Sequence, residues 1–171
     1  MMKKHILKLF VFVALFSLVL PAPSEALRAE AAVRGNLISN ASLEGAASGM
    51  PMDWAKGKWG VNDAAFTYPV AGYNSDAAIK IQIQEYRTGD AKWFFSDVEV
   101  EPLMPYTFSD YWMSEVRTIV TLRYTKLDGS YSYVDLAKLP ASRTWQKFEK
   151  TFTTPADVAK LTVFHMLNRP G

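Results

Sequence analysis

Ile79-Lys80-Ile81-Gln82-Ile83-Gln84 alternates apolar and polar residues without a break, the period that a half-buried β-strand imposes on its side chains. The same period of two returns along the chain. Thr118, Val120, Leu122 and Tyr124 share one side of a run, and Ile119, Thr121 and Arg123 share the other. Residues 131–134 follow Asp128-Gly129, a dipeptide suited to a tight hairpin turn. Residues 65–68, 145–152 and 161–167 read as further strands, and residues 35–40 as a first short one. No stretch carries a convincing helical period. Short alternating runs divided by turns specify an all-β fold, a two-sheet antiparallel β-sandwich.

Residues 89–113, GDAKWFFSDVEVEPLMPYTFSDYWM, form the centre of this pattern and read as a hairpin around a proline-containing turn. Trp93 and Phe95 share one parity and Val98 and Val100 the other, so a bulge near Ser96-Asp97 would keep all four inward. After the turn, Tyr106, Phe108, Asp110 and Trp112 share one face. A sheet with one buried face normally carries polar residues on the other. Here the opposite parity brings Lys92, Phe94, Ser109 and Tyr111. Rings mixed with hydrogen-bonding groups suit a sugar-binding surface; they also suit an ordinary sandwich with a few surface aromatics.

The start of the chain is not part of that fold. Basic residues up to Lys8, an apolar run of 12 residues at 9–20 broken only by Ser17, and an alanine-rich stretch to Ala32 read as a secretory signal peptide, cleaved after Ala26 or Ala31. Residues 1–31 are therefore expected to be leader and short linker, and 32–171 the folded domain. The apolar run is too short to span a bilayer comfortably. The leader holds Lys3, Lys4, Lys8 and Glu25, a net +2 equal to that of the whole chain, so the exported domain is formally neutral. Neutrality argues against nucleic acid, whose binding rests on basic charge, and against an anionic membrane surface. The chain has no cysteine, so disulfides and thiolate chemistry are absent. His165 is the single histidine after the leader, which excludes a multi-histidine metal centre within this chain.

NLISNASLE, WAKGKWGVNDAAFTYPVAGYNSDAAIKI, GDAKWFF, PYTFSDYW, DGSYSY, LPASRTWQKFEKTFTTP and LTVFHML follow in that order over residues 36–167. The series resembles the galactose-binding-like jelly-roll carbohydrate-binding modules of the family 4, 9 and 22 type, as found N-terminal to secreted polysaccharide deacetylases and glycosidases. The resemblance implies a non-catalytic glycan-binding sandwich, a structural calcium, and a catalytic domain downstream of Gly171. It also implies a closing strand of the form G-x-L-x-x-D-D/N-x-x-L, which places a truncation at Gly171. Leu43 and Ala41 depart from the Phe and Pro of the pattern, and Leu103-Met104-Pro105 stands where it has a glycine after Pro102.

Trp and Tyr rings match the C–H faces of sugars while staying partly wet. Candidate platforms are Trp59, Tyr68 and Tyr73 in the loop-rich half, and Tyr111 and Trp112 in the centre. Trp93, Tyr106, Phe108, Trp145 and Phe148 are expected in the core from their alternation. Lys92, Asp110 and Arg123 are candidate partners for sugar hydroxyls; a Lys92–Asp110 or Asp110–Arg123 ion pair would account for them equally well. Glu44 is the candidate calcium ligand, since hard cations gather oxygens. Asn40-Ala41-Ser42 matches a glycosylation sequon. No cofactor is needed for chemistry, and the partner expected is a polysaccharide, outside the cell or at its surface. The other readings are an adhesion or protein-interaction module of the same fold, and a small jelly-roll lyase or hydrolase using paired carboxylates or His165.

Overall fold

The computed structural model describes residues 35–171. The expected leader, residues 1–31, lies outside the described residues. Twelve strands follow in order: β1 (Ala46–Ala47), β2 (Met50–Pro51), β3 (Trp54–Trp59), β4 (Asn62–Val70), β5 (Ala78–Tyr86), β6 (Asp90–Phe95), β7 (Val98–Glu99), β8 (Pro105–Ser114), β9 (Thr118–Lys126), β10 (Tyr131–Leu139), β11 (Ser142–Thr153) and β12 (Val158–Leu167). Every pairing is antiparallel, and none of the described residues is helical. Each alternating run read in the sequence is a strand. Residues 35–40, where a first strand was expected, are instead coil and turns.

One layer is a sheet in the order β10-β9-β12-β6-β3, with β7 continuing beside β12. The other consists of two separate pairs, β4–β5 and β8–β11. Both pairs pack on the same face of the large sheet. Trp112 and Phe148 from β8–β11 meet Phe95, Val120, Leu122, Tyr124, Leu161 and Val163 of the large sheet. Ile83 from β5, with Ala64, Phe66 and Ile81 beside it, meets Ala91 and Leu167. Val120 and Leu122 are fully buried, and removing such side chains from water stabilises the fold by about 1.5–3 kcal/mol each. The structure is thus the all-β sandwich that the alternation specified.

The central stretch is built differently from the expected hairpin. β6 pairs with β3 and β12, whereas β8 pairs with β11. Residues 100–104 carry the chain from one layer to the other, so β6 and β8 are not neighbours. The break at Ser96-Asp97 lies where the change of parity required it, between β6 and β7. It keeps Trp93, Phe95 and Val100 buried. Parity alone could not separate a hairpin from a crossover, since both bury the same residues.

Two turns show how the chain holds its corners. Thr154, 1% exposed, fixes the crossover: its hydroxyl donates to the Glu101 carbonyl (2.6 Å) and accepts the Met104 amide (3.0 Å). Within that turn Leu103 takes φ 56°, a left-handed conformation glycine would adopt without strain. Asn40, also left-handed at φ 51°, ties down the loop before β1. Its side-chain amide donates to the Gly45 and Met52 carbonyls (2.8 and 3.0 Å), and its Oδ1 accepts the Gly45 amide (2.9 Å). Both amide hydrogens of the sequon asparagine are thus engaged within the fold.

Candidate functional site: aromatic surfaces on the two outer faces

Antiparallel β8 turns Tyr106, Phe108, Asp110 and Trp112 inward, leaving Thr107, Ser109, Tyr111 and Met113 on its outer face. Register with β11 sets Lys147 beside Tyr111, Glu149 beside Ser109 and Thr151 beside Thr107. Tyr73, from the loop between β4 and β5, stacks on Tyr111 with ring centroids 4.0 Å apart and planes 16° from parallel. Trp145 stands 6.5 Å from Tyr73. Tyr73 and Tyr111 remain 42% and 46% exposed, so the stacked pair belongs to neither core cluster. Lys147 and Glu149 form an exposed ion pair (2.6 Å) next to them. The Glu149 carboxylate raises the Lys147 ammonium above its ordinary value, chiefly through their hydrogen bond. Aromatic faces, an ammonium, a carboxylate and the hydroxyls of Thr107 and Thr151 (2.8 Å apart) thus share one surface.

Trp59, Lys92 and Arg123 lie on the opposite outer face, that of the large sheet. Trp59 pairs with Asp90 across β3–β6, and its indole N–H donates to the Asp90 carboxylate. The other Asp90 oxygen accepts Lys92 Nζ at 2.5 Å. Lys92 Nζ also sits 5.0 Å above the Phe164 ring. Arg123 pairs with Asp97 (2.6 Å) and lies 4.9–5.5 Å from the ring centres of Tyr131, Phe164 and Phe94. Sequence parity grouped Lys92 and Phe94 with Ser109 and Tyr111. The crossover sends the two pairs to opposite sides of the molecule.

The remaining candidates face inward or hold loops. Trp112 is 8% exposed and part of the core, which removes it from any glycan-facing surface. Asp110 pairs with neither Lys92 nor Arg123. It accepts from His165 Nδ1 at 2.6 Å, and His165 Nε2 meets the Thr118 hydroxyl at 2.7 Å. The ring is thereby held at both nitrogens, by the Asp110 carboxylate and by the Thr118 hydroxyl. This acid–imidazole–hydroxyl line joins β8 to β12 and β9 across the sandwich. Thr118 is 5% exposed and anchors the ring within the large sheet, while the bond to Asp110 ties that sheet to β8 of the other layer. Neither ring nitrogen of His165 meets a tyrosine, the pairing a jelly-roll lyase reading called for. Tyr68 is half-buried and donates its hydroxyl to the Leu43 carbonyl at 2.6 Å.

Glu44 accepts the Asp76 amide at 3.2 Å and thereby holds the loop that carries Tyr73. Among the described residues no group of three or more His, Asp or Glu side chains converges at Glu44 or elsewhere. Calcium takes six to eight oxygens, so any ion here would depend mainly on backbone carbonyls and water. Trp145 was misjudged as a core residue. It shares the parity of Lys147 and Glu149, opposite to Phe148, and is half-buried beside Tyr73 on that outer face.

No protein-family model and no curated protein matches the chain in sequence. Solved structures do match it in fold. The enzymatically active domain of tailspike protein 4 from bacteriophage CBA120 superposes with a TM-score of 0.61 at 12% identity, over 80% of this chain and 20% of that one. This chain thus spans a fifth of the tailspike's length. A family 4 carbohydrate-binding module gives 0.53 at 14% identity, over 77% of this chain and 88% of that one. The CBM22-1 xylan-binding domain of Paenibacillus barcinonensis Xyn10C gives 0.50 at 12% identity, over 78% and 85%. At these identities the likeness is one of architecture: the chain has the jelly-roll β-sandwich fold of family 4 and 22 carbohydrate-binding modules.

Proposed function

We propose that this chain is a non-catalytic carbohydrate-binding module of an exported protein, and that it grips polysaccharide on the outer face of β8–β11. One observation carries the reading. Tyr73 and Tyr111, from different strand pairs, are stacked into one aromatic wall and left nearly half exposed, with Trp145 behind and the Lys147–Glu149 pair alongside. Rings of this kind offer the C–H faces of sugars an apolar partner, and the flanking charges and hydroxyls accept and donate to sugar hydroxyls. The fold neighbours include modules described as carbohydrate-binding and xylan-binding, which supports the same ligand class. In this reading the module tethers a catalytic domain downstream of Gly171 to its substrate, raising the local concentration of one near the other.

The test is retention of the secreted chain on insoluble xylan, cellulose, chitin and β-glucans, with Tyr111→Ala alongside. Retention of the wild type on one glycan is expected, with at least a tenfold loss in the variant and an unchanged fold by circular dichroism. No retention on any glycan, or equal retention by the variant, would refute the proposal. Calcium at Glu44 belongs to the same proposal. A rise in Tm with added calcium that EDTA reverses and Glu44→Gln abolishes is the expected result; an identical Tm in all three would remove the ion.

A further inference from the structure

We propose that the outer face of the large sheet carries a second glycan platform centred on Trp59, which makes the domain bivalent for uncharged polysaccharide chains. This rests on the glycan-binding reading above and adds a separate site to it. Trp59 is 63% exposed, yet both its indole and its backbone carbonyl are hydrogen-bonded within the fold. Its indole N–H is tied to Asp90, a carboxylate only 9% exposed. Its carbonyl accepts the Asn62 side-chain amide at 2.9 Å. The neighbouring Val61 carbonyl takes the amides of Arg87 and Thr88 (2.9 and 3.1 Å), and the Val61 amide donates to the Thr88 hydroxyl (3.1 Å).

Glycines close this corner because nothing larger fits. A Cβ on Gly89, at φ 92°, would lie 1.9 Å from the Trp59 carbonyl oxygen. One on Gly60, at φ 76°, would lie 2.6 Å from the Thr88 carbonyl oxygen. A chain that immobilises an indole so thoroughly and leaves its face in water gains no burial from it. What it gains is a preorganised surface, on which a ligand ring stacks without the entropy cost of ordering the protein side.

The rest of the face fixes the ligand class. Lys92 is neutralised by Asp90 and Arg123 by Asp97, so neither cation is left over for an anionic ligand. Tyr131 and Tyr133, 56% and 59% exposed, extend the aromatic surface on the far side of Arg123. Rings, hydroxyls and compensated charges suit a neutral, hydroxyl-rich chain. The Tyr73–Tyr111 wall points the opposite way, and the two layers between are about 10 Å apart before side chains are added. One extended glycan therefore cannot lie on both surfaces, and each takes its own.

Titration calorimetry with xylohexaose and a mixed-linked β-glucan hexasaccharide reads the site count. Two oligosaccharides per chain are expected, falling to one in Trp59→Ala and to one in Tyr111→Ala, and to none in the double variant. Soluble long-chain xylan or β-glucan should be cross-linked and turn turbid with the wild type and stay clear with either single variant. A count of one that only Tyr111→Ala abolishes would overturn the second platform and leave the first intact. No binding by the wild type would overturn both. A second readout guards against misfolding of Trp59→Ala. In Tyr111→Ala, saturating oligosaccharide should protect tryptophan fluorescence from acrylamide, because Trp59 is the most exposed large aromatic described. Unchanged quenching would sink the Trp59 site.

Discussion

Thr154→Val isolates one hydroxyl at the crossover between layers. Valine keeps the shape of threonine at this 1% exposed position but can neither accept the Met104 amide nor donate to the Glu101 carbonyl. A buried donor that loses its acceptor costs about 1–3 kcal/mol, and the lost hydroxyl donation costs roughly 1 kcal/mol more. The sum is about 2–4 kcal/mol. For a domain of this size that corresponds to a fall in Tm of about 8–16 °C. Thr154→Ser makes the complementary change, keeping the hydroxyl and deleting one buried methyl at roughly 1 kcal/mol. Urea unfolding of the three chains, read at equal m-value, measures the difference. Serine costing as much as valine, or valine within about 0.5 kcal/mol of wild type, would show that packing and not the hydroxyl holds the crossover.

Leu103→Gly removes a side chain from a left-handed position where it is 66% exposed, and should raise stability by about 1 kcal/mol in the same urea experiment. Asn40→Ala strips three side-chain hydrogen bonds from the loop before β1 and should lower stability by about 2 kcal/mol. If Asn40 carried a glycan instead, enzymatic deglycosylation would shift the mass of the secreted chain; no shift is expected. Asp157 titrates below the usual carboxylate range, first through its hydrogen bond from Lys126 (2.8 Å). A depressed carboxylate stabilises the fold above its ordinary value and loses that contribution as pH falls through the lowered one. Carboxyl NMR should therefore show Lys126→Met returning Asp157 upward. Asp128, held down first by Ser130, should move little.

The fold was legible because burial writes itself into parity. The alternation in Ile79 to Gln84 and in Thr118 to Tyr124 survives intact as β5 and β9. The break at Ser96-Asp97 is where the change of parity demanded one. Parity does not say which strands are neighbours, and there the sequence misleads. Residues 89–113 look like a hairpin because two inward faces are joined by a turn, whereas Thr154, about fifty positions downstream, holds that turn as a crossover. The candidate site divided along the same line. Tyr73 and Tyr111 were legible as rings outside the core pattern, but their stacking depends on a loop reaching across from another strand pair. Trp145 alternates with Phe148 and so shares the outer parity of Lys147 and Glu149; its bulk, not its parity, suggested the core. Asp110 carried the right warning, a carboxylate on an inward face. Its partner came from His165, 55 positions later, on a strand of the opposite layer.

The β4–β5 and β8–β11 pairs share no ladder, and Tyr73 reaches from one to stack on Tyr111 of the other. The layer they form is expected to open as two separate plates, each with its own protection in a hydrogen-exchange experiment. A polysaccharide lying across both rings acts as a staple over the seam. Amides along β4 and β5 should then exchange more slowly in the bound domain although no sugar touches them. On the proposed function, the ligand would thus stiffen β4 and β5 beyond the one ring it touches there, and the rigidity of the layer would report whether a glycan is bound.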